Sequence, residues 1–165
     1  MHKTIPFHDL MMAARQGADD ELVRLLTNHI SEDCKNRALA IAAAQGHIPC
    51  LKILLPVSDP CAEESLALRW ACEFGRLECV ELLLPVSDLL AAESSALYAA
   101  CEYEYTECID LLYSGSDVPL VLNRLQREYP NNYEKWQYLQ QKHEADLLYS
   151  VVEHIVCSKP HVRKI

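Results

Sequence analysis

Residues 67–88 read ALRWACEFGRLECVELLLPVSD, and the chain says this stretch again on either side. At a spacing of 29 residues, 38–59 reads ALAIAAAQGHIPCLKILLPVSD and 96–117 reads ALYAACEYEYTECIDLLYSGSD. A looser copy, DLMMAARQGADDELVRLLTNHI, occupies 9–30. Leu10, Leu39, Leu68 and Leu97 fall in one column, and Leu25, Leu54, Leu83 and Leu112 in another. Gly17, Gly46 and Gly75 make a third, with Glu104 in the fourth place. A fixed period in this range marks units that stack because none can bury its apolar face alone.

Each copy reads as two helices around a glycine. Leu10, Ala13 and Ala14 recur at helical spacing before Gly17, and Leu22, Leu25 and Leu26 after it. Asp19 and Asp20 are candidate N-cap oxygens for the second helix, and the polar 28–36 reads as a connector. The next pairs are expected at 37–45 and 48–55, 64–74 and 77–84, and 94–103 and 106–113. The run Ala38-Leu39-Ala40-Ile41-Ala42-Ala43-Ala44 has almost no side-chain bulk, so it belongs to a tightly packed inner helix. Pro49 sits in a first turn, where its missing N–H costs nothing. Pro56 and Pro85 end their helices. Glu104 stands where the chain needs a left-handed residue, so the fourth turn is either strained or reshaped.

The text changes after Asp117. Pro119 falls in the first turn of a new helix, capped by Ser116 or Asp117, and Tyr129-Pro130-Asn131-Asn132 is a break. Trp136, Leu139, His143, Leu147, Val151 and Ile155 fit one helical stripe. The chain is therefore expected to be a single domain, 1–165. Four helix pairs cover 9–117, 118–157 forms a degenerate fifth pair plus a capping helix, and 158–165 is a frayed basic tail.

Eight cysteines invite a disulfide or zinc reading. The columns oppose it: Cys50, Cys79 and Cys108 are one position repeated, and Cys72 and Cys101 share a column with Ala14 and Ala43. Cysteine alternating with alanine is a small apolar filler. There is no CxxC and no zinc-finger Cys/His spacing, so no metal and no cofactor are expected. That many unpaired thiols imply a reducing, intracellular compartment. No apolar run approaches the roughly 20 residues of a membrane span, and no secretory signal is read at the start. Net charge is −9, concentrated in 32–117 with 15 acidic against 5 basic residues. Such a block repels phosphate backbones, which excludes nucleic acid, and its natural complement is a basic patch on a partner protein.

Leu39-x-x-Ala42-Ala43-x-x-Gly46-His47, followed by Ile48, Leu51 and Leu54-Leu55, resembles the ankyrin repeat. So does Leu68-x-x-Ala71-Cys72-x-x-Gly75, followed by Leu77, Val80 and Leu83-Leu84. The period is 29 rather than about 33, and the T-P-L-H opening is not kept. Met11, Ala40, Arg69 and Tyr98 stand at the His position. The period also suits leucine-rich repeats, but their L-x-L strand followed by Asn is absent. The resemblance implies an all-α, ankyrin-like helical-repeat solenoid with C-terminal capping helices. The missing residues come from the connection after Val-Ser-Asp, which implies short loops and little or no strand.

In such a repeat the two residues before the glycine end the inner helix on the concave side. Here they are Arg15-Gln16, Ala44-Gln45, Glu73-Phe74 and Glu102-Tyr103. Large aromatics at an exposed register are typical binding anchors. The expected partner-binding patch is Arg69, Glu73, Phe74, Tyr98, Glu102, Tyr103 and Tyr105, with Trp70 in the core. Glu63, Glu64, Glu73, Glu78 and Glu81 form a negative zone able to steer a basic partner. No catalytic residues are expected. The resemblance implies a monomeric protein–protein interaction module that occupies one partner as an inhibitor, adaptor or effector. Short divergent arrays like this one resemble those of bacterial effectors and large-virus proteins, which leaves open whether it acts in the cytoplasm of its own cell or of a host. The alternative is a thiol- or His-dependent enzyme using the 118–157 helices.

Overall fold

The computed structural model of the chain describes residues 7–132 and 134–157, with side-chain exposure described as far as 153. The described residues form α1 (Phe7–Gln16), α2 (Asp19–Leu26), α3 (Glu32–Gln45), α4 (Ile48–Leu54), α5 (Ala62–Glu73), α6 (Leu77–Leu83), α7 (Ala91–Glu102), α8 (Thr106–Leu112), α9 (Val118–Glu128) and α10 (Glu134–Cys157). There is no strand among them. The odd-numbered helices through α7 stack as an inner layer and α2, α4, α6 and α8 as an outer one. Inner helices touch far more extensively than outer ones, because α3 buries Ala38, Ala40, Ala42, Ala43 and Ala44 and lets its neighbours close in. Both leucine columns are buried, as are Cys50, Cys72, Cys79, Cys101 and Cys108. Each buried leucine contributes about 2 kcal/mol relative to an exposed one.

The turn after each inner helix is the same device four times. The N–H groups of Ala18, His47, Arg76 and Tyr105 reach back to the carbonyls of Ala13, Ala42, Ala71 and Ala100 at 2.8–3.0 Å, the closure of a Schellman-type helix end. Gly17, Gly46 and Gly75 hold left-handed φ of 70°, 81° and 61°. Glu104 adopts 62°. The fourth turn is thus strained rather than reshaped.

Short connections replace a projecting finger. The helices α4, α6 and α8 each run into one 3-10 turn, Leu55–Val57, Leu84–Val86 and Tyr113–Gly115. The backbone N–H of Asp59, Asp88 and Asp117 then donates to Asn36 Oδ1, Ser65 Oγ and Ser94 Oγ at 2.8, 3.0 and 2.9 Å. Asp59 and Asp88 accept from the N–H two residues on, and Asp117 caps α9 through the N–H of Leu120. Two boundaries differ from the sequence reading. The helix α3 starts at Glu32, capped by Ser31, so the polar connector is largely the charged first turns of a helix. The helix α2 has no side-chain cap; Asp19 and Asp20 lie in its first turn, where they favour the helix dipole instead.

The helix α9 buries Val118, Val121, Leu122 and Leu125 beside α7, and α10 packs on α9 and α7. Asp110 of α8 fastens α10 by accepting from Tyr138 Oη at 2.8 Å and pairing with Lys142. Tyr113 Oη lies 3.3 Å from His143 Nδ1. The expected stripe covers the stack only through His143: Leu139 is buried, but Leu147 and Val151 are more than half exposed. Ile155 and the basic tail lie outside the described side chains.

Two measurements check this picture. Glu104→Gly removes a left-handed non-glycine residue from an exposed position, so chemical denaturation should show a gain of about 1 kcal/mol. Hydrogen bonds from Lys142 and then Tyr138 hold the Asp110 carboxyl below its ordinary value. A lowered folded-state pKa stabilises above the ordinary carboxylate value and loses that contribution as pH falls through the depressed one. Asp110→Asn should therefore lower the melting temperature by about 1–3 °C at pH 7. It should also flatten the fall in melting temperature below about pH 4, where the wild-type pair is lost.

Candidate partner-binding surface

The C-terminal ends of the inner helices carry two adjoining clefts. Arg69 and Glu73 lie one turn apart on α5, as do Trp70 and its C-cap residue Phe74, and Tyr98 with Glu102 and Ala99 with the C-cap residue Tyr103 repeat this on α7. The first cleft, about 330 Å³, is lined by Arg15, Ile41, Ala44, Gln45, Trp70, Glu73 and Phe74. The second, about 370 Å³, is lined by Arg69, Glu73, Ala92, Ser95, Tyr98, Ala99, Glu102, Tyr103 and Arg124. Glu73 borders both. Phe74 and Tyr103 remain 45% and 48% exposed at equivalent positions of adjacent repeats.

Five of the seven expected patch residues, Arg69, Glu73, Tyr98, Glu102 and Tyr103, thus meet in the second cleft. Phe74 lines the first. Tyr105 borders neither, because its ring lies over Gly75 of the preceding repeat and 6.4 Å, centroid to centroid, from Tyr103. Tyr98 is no open anchor either. It is 9% exposed, its hydroxyl donates to Glu128, and Arg124 sits 3.9 Å above its ring. Burial and the Glu128 carboxylate push its phenol above the ordinary range. Tyr98 forms a wall and holds α9 in place.

Trp70 is partly buried: it packs against the core as expected and also lines the first cleft, one helical turn before Phe74. Ile41 occupies the same column in α3. Reading back four residues from Phe74 would have found Trp70. Around Tyr103 the field is negative: Glu102 and then Glu73 push its phenol upward. Glu102 also accepts from Tyr129 Oη, and its carbonyl accepts from Lys135 Nζ. The wider acidic zone is not one patch. Glu63 pairs with Arg37 at the start of α5, and Glu78 and Glu81 stand on the outer helix α6.

No group of three or more His, Cys, Asp or Glu side chains converges on a metal position among the described residues. The seven described cysteines are free. Burial raises Cys79 and Cys108 to about 11, Cys101 to about 12, and Cys72 well above the ordinary thiol. Such thiols are protonated at neutral pH and poor nucleophiles. In the 118–157 segment, the described histidine His143 faces Tyr113 Oη. No described helix is long and apolar enough to cross a membrane.

A stack of glycine-turned helix pairs, inner against inner and outer against outer, defines a helical-repeat solenoid. A family model of ankyrin repeats in three copies matches residues 10–92, and the chain belongs to the ankyrin-repeat family. No curated protein matches it. The fold and family are those of a protein-binding scaffold.

Thiol titration of the native protein checks the reading of the cysteines. Among the seven described cysteines, exposed Cys61 should react with an aromatic disulfide first and half-buried Cys34 next. Cys50, Cys72, Cys79, Cys101 and Cys108 should react only as fast as the chain unfolds. A fast reaction at any of these five would overturn their assignment as core filler.

Proposed function

We propose that the chain holds one partner protein across its two concave clefts and acts by occupying it, as an inhibitor, adaptor or effector. The observation that carries this reading is the pair Phe74 and Tyr103, two half-exposed aromatics at one register, each beside a cleft. Aromatics in this setting bury large area at small entropic cost. The first cleft, walled by Trp70, Ile41 and Ala44, suits an apolar side chain. Glu73, between the clefts, and Glu102 suit a basic residue beside it, in keeping with the net charge of −9. Rigid stacking presents both clefts preformed. The free cysteines fit action in a reducing cytoplasm, of its own cell or of a host.

A partner captured from lysate tests this with Phe74→Ala/Tyr103→Ala. Both side chains are half exposed, so circular dichroism and melting should be unchanged while affinity falls at least about tenfold. An intact fold with undiminished affinity would remove the patch from the reading.

A further inference from the structure

Arg69 and Glu73, one turn apart on α5, are both half-buried and both line the second cleft. Neither side chain makes a hydrogen bond or ion pair among the described residues, with the other or with anything else. An arginine four residues before a glutamate is the weaker order for pairing along a helix. Their counterparts 29 residues on, Tyr98 and Glu102, are both engaged. Tyr98 donates to Glu128, and Glu102 accepts from Tyr129 Oη at 2.5 Å. At the end of the stack the chain itself thus brings a carboxylate to the first position and a donor to the second. One repeat earlier, α7 lines the cleft with the small Ala92, Ser95 and Ala99, and Ser95 Oγ donates to the Ala91 carbonyl at 3.5 Å. Arg124 of α9 lines the cleft as well, its Nε 3.1 Å from Glu128 and its guanidinium over the Tyr98 ring.

We propose that the partner's binding segment is a peptide stretch carrying both signs of charge, with a carboxylate on Arg69 and a cation on Glu73, beside the apolar residue that enters the first cleft. This rests on the reading of the concave clefts as the partner-binding surface and adds the chemistry of what they hold. A half-buried guanidinium is best matched by a carboxylate, which can accept two parallel N–H bonds from it. A purely basic segment, the complement suggested by the net charge of −9, would bring a cation against Arg69 and Arg124. A purely acidic one would meet Glu73 and Glu102, and like charges across an interface oppose binding. Only a segment with both signs satisfies the cleft. Glu73 borders both clefts and Arg69 only the second, so the partner's basic group lies between its apolar and its acidic one. Side chains one helical turn apart have Cβ atoms about 5–6 Å apart. The partner's charged pair therefore consists of neighbours on one side of its own backbone, such as alternate residues of an extended stretch.

A random peptide library displayed on phage and panned on the full chain tests the proposal. Enriched sequences should share an apolar residue with one basic and one acidic residue close to it. For the most enriched sequence, made as a synthetic peptide, Arg69→Glu should lower affinity at least about tenfold with circular dichroism and melting unchanged. Arg69→Glu/Glu73→Arg keeps the net charge. It should prefer, by a similar factor, the peptide with its acidic and basic residues exchanged, and that binding shows the variant to be folded. Enriched peptides without an acidic residue, affinity untouched by Arg69→Glu, or no enrichment over the bare support overturns the proposal. So does a double variant that still prefers the original peptide. The two readings fail separately. Affinity that needs Phe74 and Tyr103 but not Arg69 removes the charge pair and leaves the aromatic patch. Affinity that needs Arg69 but neither aromatic removes the patch and leaves the charge pair.

Discussion

The stack depends on one contact made between successive repeats. The residue after the second, third and fourth turns reaches back over the end of the preceding inner helix. His47 covers Gly17, with Nε2 at 3.0 Å from the Arg15 carbonyl, and Arg76 lies on Gly46 and donates to the Ala44 carbonyl at 3.0 Å. A carbonyl only accepts, so His47 carries its proton on Nε2. Tyr105 covers Gly75, and Lys135 donates to the Glu102 carbonyl in the fourth repeat. Each contact satisfies or shields the carbonyl end of a helix, where three of the four occupants bring a donor and two a permanent positive charge. The glycines are needed for more than φ. A β-carbon on Gly17 would stand 2.7 Å from His47 Nδ1, and one on Gly75 2.6 Å from the Tyr105 ring. The spacing of 29 thus makes the bare backbone of one unit the seat for the next.

The other end of each unit is fixed by a different bond. Asn36, Ser65 and Ser94 accept the backbone N–H of Asp59, Asp88 and Asp117. That bond folds the connection against the start of the inner helix and leaves no length for a hairpin. Strain accompanies it in two of the three repeats, where Glu63, Glu64 and Ser65, and again Ala92, Glu93 and Ser94, hold left-handed φ as α5 and α7 begin. The second repeat, with Asn36 and its longer side chain, reaches the same Asp N–H from a regular α3.

The architecture was readable because stacking forces every unit to present the same residue type at the same place. Leucine, alanine, cysteine and glycine columns therefore identified inner and outer helices, the turns and the absence of strands from the described residues. The same logic explains what stayed hidden. Residues 32–36 are polar because they form the outlying first turn of α3, and a polar helix start reads like a loop. Tyr98 looked like an open border of the groove, but Arg124 and Glu128 on α9 cover it, and a period carries no information about a non-repeating neighbour. Trp70 packs against the core as its apolar column implies, yet it is only partly buried and also lines the first cleft with Ile41 and Ala44, which a column of apolar residues does not reveal.

Function in such a chain separates from scaffold by departure from the columns. Cysteine repeats and is buried; Phe74 and Tyr103 have no bulky counterpart at Gln16 and Gln45, and they stay exposed. The same criterion applies beyond the repeats. In α10 the stripe keeps its spacing past the point where the stack can use it, so packing on the repeats does not account for Leu147, Leu148, Val151 and Val152.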